Sequence, residues 1–343
     1  MSMKRLVLVL CALLVFGVAA CGDDDDDGGG ESVLTEEKGS PAQGTEGPVK
    51  IAFSTPAADH GWLKAVSDNA KQAGEDLGEE VDLTVNDSAA SSAEQADQIE
   101  TLIQDKPDVL VVLPFEGEAL TPVAQKATDA GIPVVNVDRE FSTAGAYRTW
   151  IGGDNYGIGY QAGNYFAEEL GCKGNVVEIQ GIAGISVTEL RTQGFNDAIE
   201  QACDGGIKVV ARQPADFLPD KGLTVMENIL QAEDQIDGVY THDDDMAEGV
   251  VAAIENAGRE DEMFLTGAGG STAAMEAIEQ GGLYRATFLY NPVMSASAIQ
   301  LANLIGRGEG LTELAEPEVP SRIQVPATTV TKENVAELKD LGY

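Results

Sequence analysis

Carboxylate, guanidinium and aromatic side chains recur near the ends of the β-branched runs of this sequence, where parallel sheets bind their ligands. The charged residues at these ends are Asp138, Arg139 and Asp243, and Arg191 in a helical segment supplies a further guanidinium group. The aromatic residues are Trp62, Phe217 and Tyr290. Carboxylates accept hydrogen bonds, guanidinium groups donate them, and flat rings pack against apolar C–H faces. Together these residue types suit the binding of a neutral, polyhydroxylated molecule.

Each of these residues also has a simpler interpretation. Asp138 and Arg139 could form an ion pair on the surface, and Arg191 could be a solvated helix residue. Trp62 and Phe217 could simply cover a hydrophobic core. No single one of them is specific, so the prediction of a binding site depends on their occurring together.

The two histidines, His60 and His242, are the natural candidates for a metal site. Neither has a cysteine or a second histidine at ligand spacing, and the sequence contains no HExxH motif. We therefore predict no metal ion. His60 and its neighbour Asp59, in the segment DHGW after the first strand, are instead assigned to the ligand-binding residues.

The motifs of common enzymes are missing from the sequence after residue 47, which contains no GxSxG, no CxxC and no Walker loop. The segment MFLTGAGGSTAA does place Gly267, Gly269 and Gly270 between a strand and a helix, where a pyrophosphate could bind. However, its spacing is not GxGxxG, and the following strand ATFLYN lacks the acid that would hold a ribose hydroxyl. We expect no enzyme and no cofactor, with a nicotinamide-dependent enzyme as the remote alternative.

Nine β-branched runs alternate with segments of helical periodicity from Val49 onward. Four of them precede the segment WIGGDNYG, namely KIAFST, VDLTVND, DVLVVLP and PVVNVD. The others follow it, namely NVVEIQG, IKVVARQ, GVYTH, MFLTG and ATFLY. This order predicts an α/β fold of two Rossmann-like lobes, each with a parallel sheet covered by helices.

Three consecutive aspartates stand in the segment VYTHDDDMAEG, at the junction of a predicted strand and a predicted helix. Acidic side chains at such a junction cap free N–H groups and interact favourably with the helix dipole. We predict that only Asp243 enters the ligand cleft, and that Asp244 and Asp245 serve the helix start or face solvent. Alanine at position 243 should then abolish ligand binding, whereas alanine at position 245 should have no effect.

The first 20 residues have the pattern of a lipoprotein signal peptide, because Lys4 and Arg5 precede an apolar run and VAAC ends at Cys21. We expect cleavage before Cys21 and lipidation of its thiol, which would anchor the protein to the outer face of a membrane or in the periplasm. Ordinary secretion with an incidental cysteine is the alternative. Residues 21–47 are acidic and without apolar periodicity, which predicts a disordered tether.

The chain has 21 basic and 58 acidic residues and a formal net charge of −37 at pH 7. Nucleic acids and anionic membrane surfaces are poor partners for such a chain, which leaves the lipid as its only membrane attachment. Of the four cysteines, Cys172 and Cys203 alone follow the tether, and each precedes a predicted strand. In an oxidising compartment we expect a disulfide between them, with two free thiols as the alternative.

Several segments resemble the periplasmic sugar-binding proteins of ribose-type ABC importers, and the resemblance extends from Val49 to Tyr343. They are PVVNVDRE, VVEIQGIAGISVTELRTQGFNDAI, RQPADFLPDKGLTVMENIL and HDDDMAEGVVAAIENAG. The resemblance implies a monomeric type I receptor of two lobes, formed by residues 48–152 with 291–322 and by residues 153–290 with 323–343. Three crossovers join the lobes, which close over one monosaccharide or polyol and deliver it to a membrane permease.

The resemblance also implies a role for individual residues. Asp138 and Arg139 would hold hydroxyl groups from the N-terminal lobe, where Trp62 takes an aromatic position. From the C-terminal lobe, Arg191 would donate hydrogen bonds and Phe217 would stack on the ligand. The hinge would include Asp154 and Asn155 at one crossover and Tyr290 and Asn291 at another.

Four departures from the ribose-type pattern occur at the site, and one of them is the aromatic pair near its start, which becomes Trp62 and Leu63. Asp243 stands where that pattern has asparagine, Gly269 lies nearest to a lost aspartate, and Tyr290 replaces an amide. One acid has been lost and another gained nearby, so the resemblance implies a ligand whose hydroxyl groups are arranged differently from those of ribose. A second hypothesis keeps the fold but makes the protein a sugar or autoinducer sensor that docks on a signalling receptor.

Overall fold

The computed structural model describes residues 44–343, which lie in the structural unit Pro41–Tyr343. The predicted signal peptide, the predicted lipidation at Cys21 and nearly all of the predicted tether lie outside the described residues. Within residues 44–343 no helix combines the length and the apolar character needed to cross a membrane.

Twelve strands form two six-stranded sheets in the described part of the chain. The strands are β1 (Val49–Pro56), β2 (Val81–Ala89), β3 (Val109–Val112), β4 (Val134–Val137), β5 (Thr149–Gly153), β6 (Gly174–Gln180), β7 (Ile207–Pro214), β8 (Gly238–Thr241), β9 (Phe264–Gly269), β10 (Tyr284–Leu289), β11 (Arg322–Val325) and β12 (Thr329–Thr331). The order is β11-β5-β4-β3-β1-β2 in the N-terminal sheet and β12-β10-β9-β8-β6-β7 in the C-terminal sheet. All neighbours are parallel except β12, which pairs antiparallel with β10.

Ten α-helices of the described residues accompany these strands. They are α1 (Gly61–Leu77), α2 (Ser92–Gln104), α3 (Gly117–Asp129), α4 (Asn155–Glu169), α5 (Ser186–Cys203), α6 (Pro219–Ala232), α7 (Asp244–Ala257), α8 (Thr272–Gln280), α9 (Met294–Arg307) and α10 (Val335–Leu338). In four of them the side chain of the N-cap residue accepts a hydrogen bond from a backbone N–H group of the first turn. These N-cap residues are Ser91, Asp154, Asp243 and Ser271.

The prediction of two α/β lobes with parallel sheets joined by three crossings is confirmed. The chain passes between the sheets after β5, after β10 and between β11 and β12. All nine predicted strands are present, but β5, β11 and β12 were not predicted. The segment WIGG was taken as the seam between lobes, whereas Trp150 to Gly153 form most of β5 and pair with β11.

The lobe boundaries expected at positions 152 and 322 move by a few residues. Gly153 still belongs to the N-terminal sheet, where it pairs with Val325. The last crossing therefore lies between Val325 and Thr329 and not after residue 322. The predicted boundary fell inside β11 because that strand is short and largely exposed, with little apolar signal.

Cys172 and Cys203 are joined by a disulfide, and their Cα atoms lie 4.9 Å apart. Cys172 follows α4 and Cys203 is the last residue of α5, so the bond connects two helices that pack along their lengths on the C-terminal lobe. Closing a loop of this size lowers the entropy of the unfolded chain.

Candidate functional site

The carboxyl ends of the two sheets face each other across a cleft that contains a cavity of about 30 Å³. This volume holds one or two water molecules, so a larger ligand requires the surrounding side chains to move apart. Nine of the ten predicted ligand-binding residues line the cavity, and the exception is Asp59. Two apolar residues that the sequence did not single out, Val187 and Ala268, complete the lining.

Asp138 and Arg139 contribute the charged groups of the N-terminal lobe. Both follow β4 directly and both are 4% exposed, so they are not a surface ion pair. Arg139 Nε lies 3.8 Å from Asp138 Oδ2, and Arg139 Nη1 donates to the carbonyl oxygen of Phe115 at 2.7 Å. Burial raises the pKa of Asp138 although Arg139 opposes the shift, and burial likewise lowers the pKa of Arg139.

Arg191 contributes the guanidinium of the C-terminal lobe. It lies on α5, it is only 3% exposed, and its guanidinium carbon is 4.7 Å from the ring centre of Tyr290. Its Nε donates to Asn155 Oδ1 at 2.9 Å, and its Nη1 donates to the carbonyl oxygen of His242. A solvated helix residue would make none of these contacts, so Arg191 belongs to the cleft.

A chain of hydrogen bonds connects these charged groups across the hinge. Arg191 donates to Asn155 Oδ1, Asn155 Nδ2 donates to the hydroxyl oxygen of Tyr290 at 3.1 Å, and that hydroxyl donates to Asp138 Oδ1. Asp154, the neighbour of Asn155, accepts from Gly157 N at 2.8 Å and caps α4. The chain therefore joins the two lobes through residues at two of the three crossings.

Three aromatic rings face the cavity from both lobes. Trp62 lies on α1, and its Nε1 donates to the carbonyl oxygen of Tyr290 at 2.8 Å, with the ring centres 5.5 Å apart. Phe217 belongs to the other lobe and packs with Ile185 and Val187. Its φ of 65° is unusual for a bulky residue, and this conformation is part of the turn that brings the ring into the cleft.

His60 lies beside these rings, and Asp59 supports it from outside the cavity. Asp59 Oδ1 lies 2.6 Å from His60 Nδ1, and the two side chains are 53% and 5% exposed respectively. Asp59 does not line the cavity but lies against His60, so its predicted contact with the ligand stays a prediction. Single ligand atoms of His60, Asp243 and Asp245 lie within 4.8 Å of one another, so these three residues could hold a divalent cation. The sequence motifs gave no sign of this group, because His60 comes from the other lobe.

Of the three consecutive aspartates, Asp243 is the one that lines the interlobe cavity. Asp243 accepts from Met246 N at 2.8 Å, caps α7 and lines the cavity. Burial raises the pKa of its carboxyl well above the usual value, and the nearby Asp245 adds to the shift. Asp243 therefore lies at the cavity, and its role as an acceptor of hydrogen bonds from a ligand stays a prediction.

Asp244 and Asp245 both lie in the first turn of α7, as predicted, but their side chains bind partners outside this helix, which was not predicted. Asp244 is 1% exposed and accepts hydrogen bonds from Gly270 N and Ser271 N, each at 2.7 Å, and from the hydroxyl groups of Tyr284 and Thr287, also at 2.7 Å. Asp245 accepts from the backbone N–H of Trp62, in the opposite lobe, at 3.0 Å. Neither contact follows from local sequence, because the partners lie far away along the chain.

The turn of Gly267, Gly269 and Gly270 does not offer a free phosphate site. The N–H groups of Gly270 and Ser271, which would bind an anion at the start of α8, already donate to the Asp244 carboxylate. A second negative charge at this position would be repelled. The structure therefore contradicts the interpretation of this turn as part of a nicotinamide-binding site.

Comparison with known proteins identifies the family to which this two-lobed architecture belongs. The model of the periplasmic binding protein domain matches residues 51–310 of this chain. The chain belongs to the periplasmic binding protein domain family. Every site residue described above lies within the matched range, so the cleft is part of the family's fold.

Relatives of this periplasmic binding protein include named import proteins. The ribose import binding protein of Bacillus subtilis (strain 168) is 32% identical over 244 residues, which are 71% of this chain and 72% of that relative. The D-apiose import binding protein of Actinobacillus succinogenes is 33% identical over 239 residues, 70% of this chain and 76% of that relative. Among solved structures, the chain is similar to an ABC transporter solute binding protein from Bacillus halodurans C-125 with bound myo-inositol. The two chains superpose with a TM-score of 0.78 and are 25% identical, and the match covers 87% of this chain and 100% of the other.

A larger depression of about 750 Å³ lies on the C-terminal lobe of this periplasmic binding protein, among α4, β10 and β12. Its lining comes from one lobe only and includes the ion pair of Arg285 with Glu169. A molecule bound there would contact a single lobe and would not favour closure. The interlobe cavity is therefore the candidate ligand site although it is the smaller of the two.

A buried polar network supports the C-terminal side of the cleft. Glu178 is fully buried, and it lies 3.0 Å from His242 Nε2 and 2.6 Å from Arg212 Nε. Thr192 also donates to this carboxylate at 2.5 Å. Burial lowers the pKa of His242, so its neutral ring donates an N–H to Glu178. This network fixes His242, whose carbonyl oxygen accepts from Arg191.

Glu178→Gln should destabilise the protein at neutral pH and have little effect in acid. Burial alone would raise the pKa of Glu178, but the hydrogen bonds from His242 and Thr192 and the charge of Arg212 outweigh it and lower the pKa to about 2. Because folding lowers this pKa, the ionised carboxylate stabilises the folded state at neutral pH. That contribution, on the order of 3 kcal/mol, is lost as the pH falls from about 4.5 towards 2.

Urea unfolding of both proteins at several pH values from 7 to 3 tests this prediction. Glu262→Gln is the control, since Glu262 is 51% exposed and pairs only with Arg259 on the surface, where ion pairs contribute little. A difference between Glu178→Gln and the unmodified protein that stays constant with pH would contradict the assigned ionisation.

Proposed function

We propose that this chain binds a monosaccharide or a polyol between its two lobes and presents it to an ABC permease. The observation that carries the proposal is the composition of the interlobe cavity. Two carboxylates, two guanidinium groups and three aromatic rings meet there, and they come from both lobes. The charged residues are Asp138, Arg139, Arg191 and Asp243.

This combination matches the chemistry of a carbohydrate. Hydroxyl groups donate to carboxylates and accept from guanidinium groups, and such charge-assisted hydrogen bonds are strong in a cleft that excludes water. Trp62 and Phe217 face the cavity from opposite lobes, so they are suited to cover the two apolar faces of a sugar ring. Because the ligand contacts both lobes, it stabilises their closed arrangement.

The family context supports transport and not catalysis. The relatives described above are named as import binding proteins for ribose and D-apiose, and the solved neighbour holds myo-inositol. The site differs from the ribose-type pattern at Asp243 and Tyr290, so we propose a ligand other than ribose. We also propose that the protein acts outside the cytoplasm as a monomer, held to the membrane by a lipid on Cys21.

A thermal-shift screen of pentoses, hexoses, furanoses and polyols tests the function. A ligand at a hundredfold excess over its dissociation constant adds about 2.7 kcal/mol to the free energy of unfolding, which raises the melting temperature by several degrees. The same ligand should change the fluorescence of Trp62, which lines the cavity. A complete panel without any response would refute the proposal.

Arg191→Lys should weaken ligand binding by at least tenfold while leaving the fold intact. Lysine keeps the positive charge but loses the planar fork that contacts Asn155 and His242. Arg285→Lys is the matched control, because Arg285 is 47% exposed and pairs with Glu169 far from the cleft. Isothermal titration with the ligand from the screen measures the affinity of both variants. Equal affinities of Arg191→Lys and Arg285→Lys would show that Arg191 does not contribute to ligand binding.

A further inference from the structure

Helix α1 begins without a cap of its own. Its N-cap residue, His60, makes no side-chain hydrogen bond to the first turn, because its ring Nδ1 faces Asp59. The first turn also contains no acidic residue. A helix start leaves several backbone N–H groups without partners inside the helix, and here the local sequence supplies none.

The missing cap is provided by the opposite lobe. Asp245 lies in the first turn of α7, and its Oδ2 accepts from Trp62 N at 3.0 Å. A Cβ atom added to Gly61 would lie 2.5 Å from Asp245 Oδ1, so the carboxylate rests directly against the start of α1. One carboxylate thus lies at the N-terminal ends of two helices, where negative charge is favourable.

We propose that Asp245 is a positioning residue that caps α1 across the cleft and stabilises the closed arrangement of the lobes without contacting the ligand. Asp245 is absent from the lining of the cavity, whereas its neighbour Asp243 is part of it. The contact can form only when the lobes approach, since its two partners belong to different lobes. It therefore shifts the balance between open and closed forms whether or not a ligand is present.

Tyr343 extends this contact. Its hydroxyl lies 3.5 Å from Asp245 Oδ2, and its backbone carbonyl accepts from Thr272 N at 2.9 Å. The side chain thus stands next to the capping carboxylate and is fixed to the start of α8. This packing limits the positions that Asp245 can adopt.

The test compares Asp245→Ala with Gly61→Ala, alone and combined. Asp245→Ala removes the capping carboxylate, and Gly61→Ala leaves α1 intact but displaces the carboxylate, because the added methyl group would overlap it. Alanine is well tolerated near a helix start, so the second variant changes the interlobe contact without weakening the helix. Glu248→Ala, an exposed residue of α7, is the control.

Single-molecule energy transfer between one dye on each lobe, in the absence of ligand, gives the first readout. Both variants should reduce the ratio of closed to open molecules by about tenfold, the size expected for loss of a charged helix cap. The double variant should show no further loss, because both changes remove the same contact. Glu248→Ala should match the unmodified protein.

The second readout is the affinity for the sugar found in the screen, and this part rests on the proposed function. The dissociation constant of both variants should rise by the same factor of about ten, through faster dissociation. Unchanged lobe distances, or additive effects in the double variant, would overturn the proposal. If no sugar binds at all, the proposed function is refuted, but the ligand-free distances still show whether Asp245 stabilises the closed arrangement. Failure of one proposal can therefore be distinguished from failure of the other. Matching melting temperatures of the unliganded variants exclude unfolding as the cause.

Discussion

Asp138→Ala should raise the dissociation constant for the sugar by at least a hundredfold. The carboxylate lies at the point where Arg139 from its own lobe and Tyr290 from the hinge converge. Its removal takes away a buried acceptor for ligand hydroxyl groups and leaves the tyrosine hydroxyl without its acceptor. Truncating one member of a buried, hydrogen-bonded charged group costs about 2–5 kcal/mol in binding.

The variant should nevertheless fold. Arg139 keeps its hydrogen bonds to the carbonyl oxygens of Pro114 and Phe115, so its charge is not left without partners. Isothermal titration calorimetry measures the affinity, and circular dichroism checks the fold. Asp59→Ala is the control, since Asp59 is half exposed and outside the cavity; it should change the affinity only a few-fold. Comparable affinities for both variants would show that Asp138 is not a ligand contact.

Asp244→Ala should be the most destabilising single change among the three consecutive aspartates. The carboxylate accepts from two backbone N–H groups at the start of α8 and from hydroxyl groups on β10, and it thereby joins α7, α8 and the sheet. Alanine would leave several buried donors without an acceptor, each at a cost of about 1–3 kcal/mol. We expect a loss of about 3–5 kcal/mol in the free energy of unfolding, measured by urea denaturation.

Two further variants make this prediction specific. Tyr284→Phe removes one of the donors and leaves the carboxylate in place, so it should cost only about 1 kcal/mol. Asp245→Ala changes the neighbouring residue, which is only partly buried, and should leave the free energy of unfolding nearly unchanged. An Asp244→Ala protein as stable as either of these would show that the buried carboxylate is dispensable.

Features that depend on local sequence were predictable, and features that depend on distant partners were not. Nine strands were recognised because each is a short run rich in apolar and β-branched residues that alternates with a helical pattern. β12 escaped because it has only three residues, and β11 because its residues are largely exposed. β5 contains two glycines, which weaken a strand pattern, and its neighbour β11 comes from much later in the chain.

The same distinction applies to the site. Asp138, Phe217, Asp243 and Tyr290 could be chosen because a polar or aromatic residue after a parallel strand faces the cleft. The roles of Asp244 and Asp245 could not, because one depends on Tyr284 and Thr287 and the other on a helix in the opposite lobe. In the sequence the two residues are identical neighbours on a helix start, and only the fold separates them.

Strands β11 and β12 restrict the order in which the molecule can assemble. Both lie beyond residue 321, yet one completes the N-terminal sheet and the other completes the C-terminal sheet. The pairing of Arg322 with Trp150 joins positions far apart along the chain, and such contacts form late and slowly. A polypeptide that emerges residue by residue, during synthesis or export, therefore cannot finish either lobe before this segment arrives. Each lobe therefore depends on the same C-terminal segment for one of its edge strands.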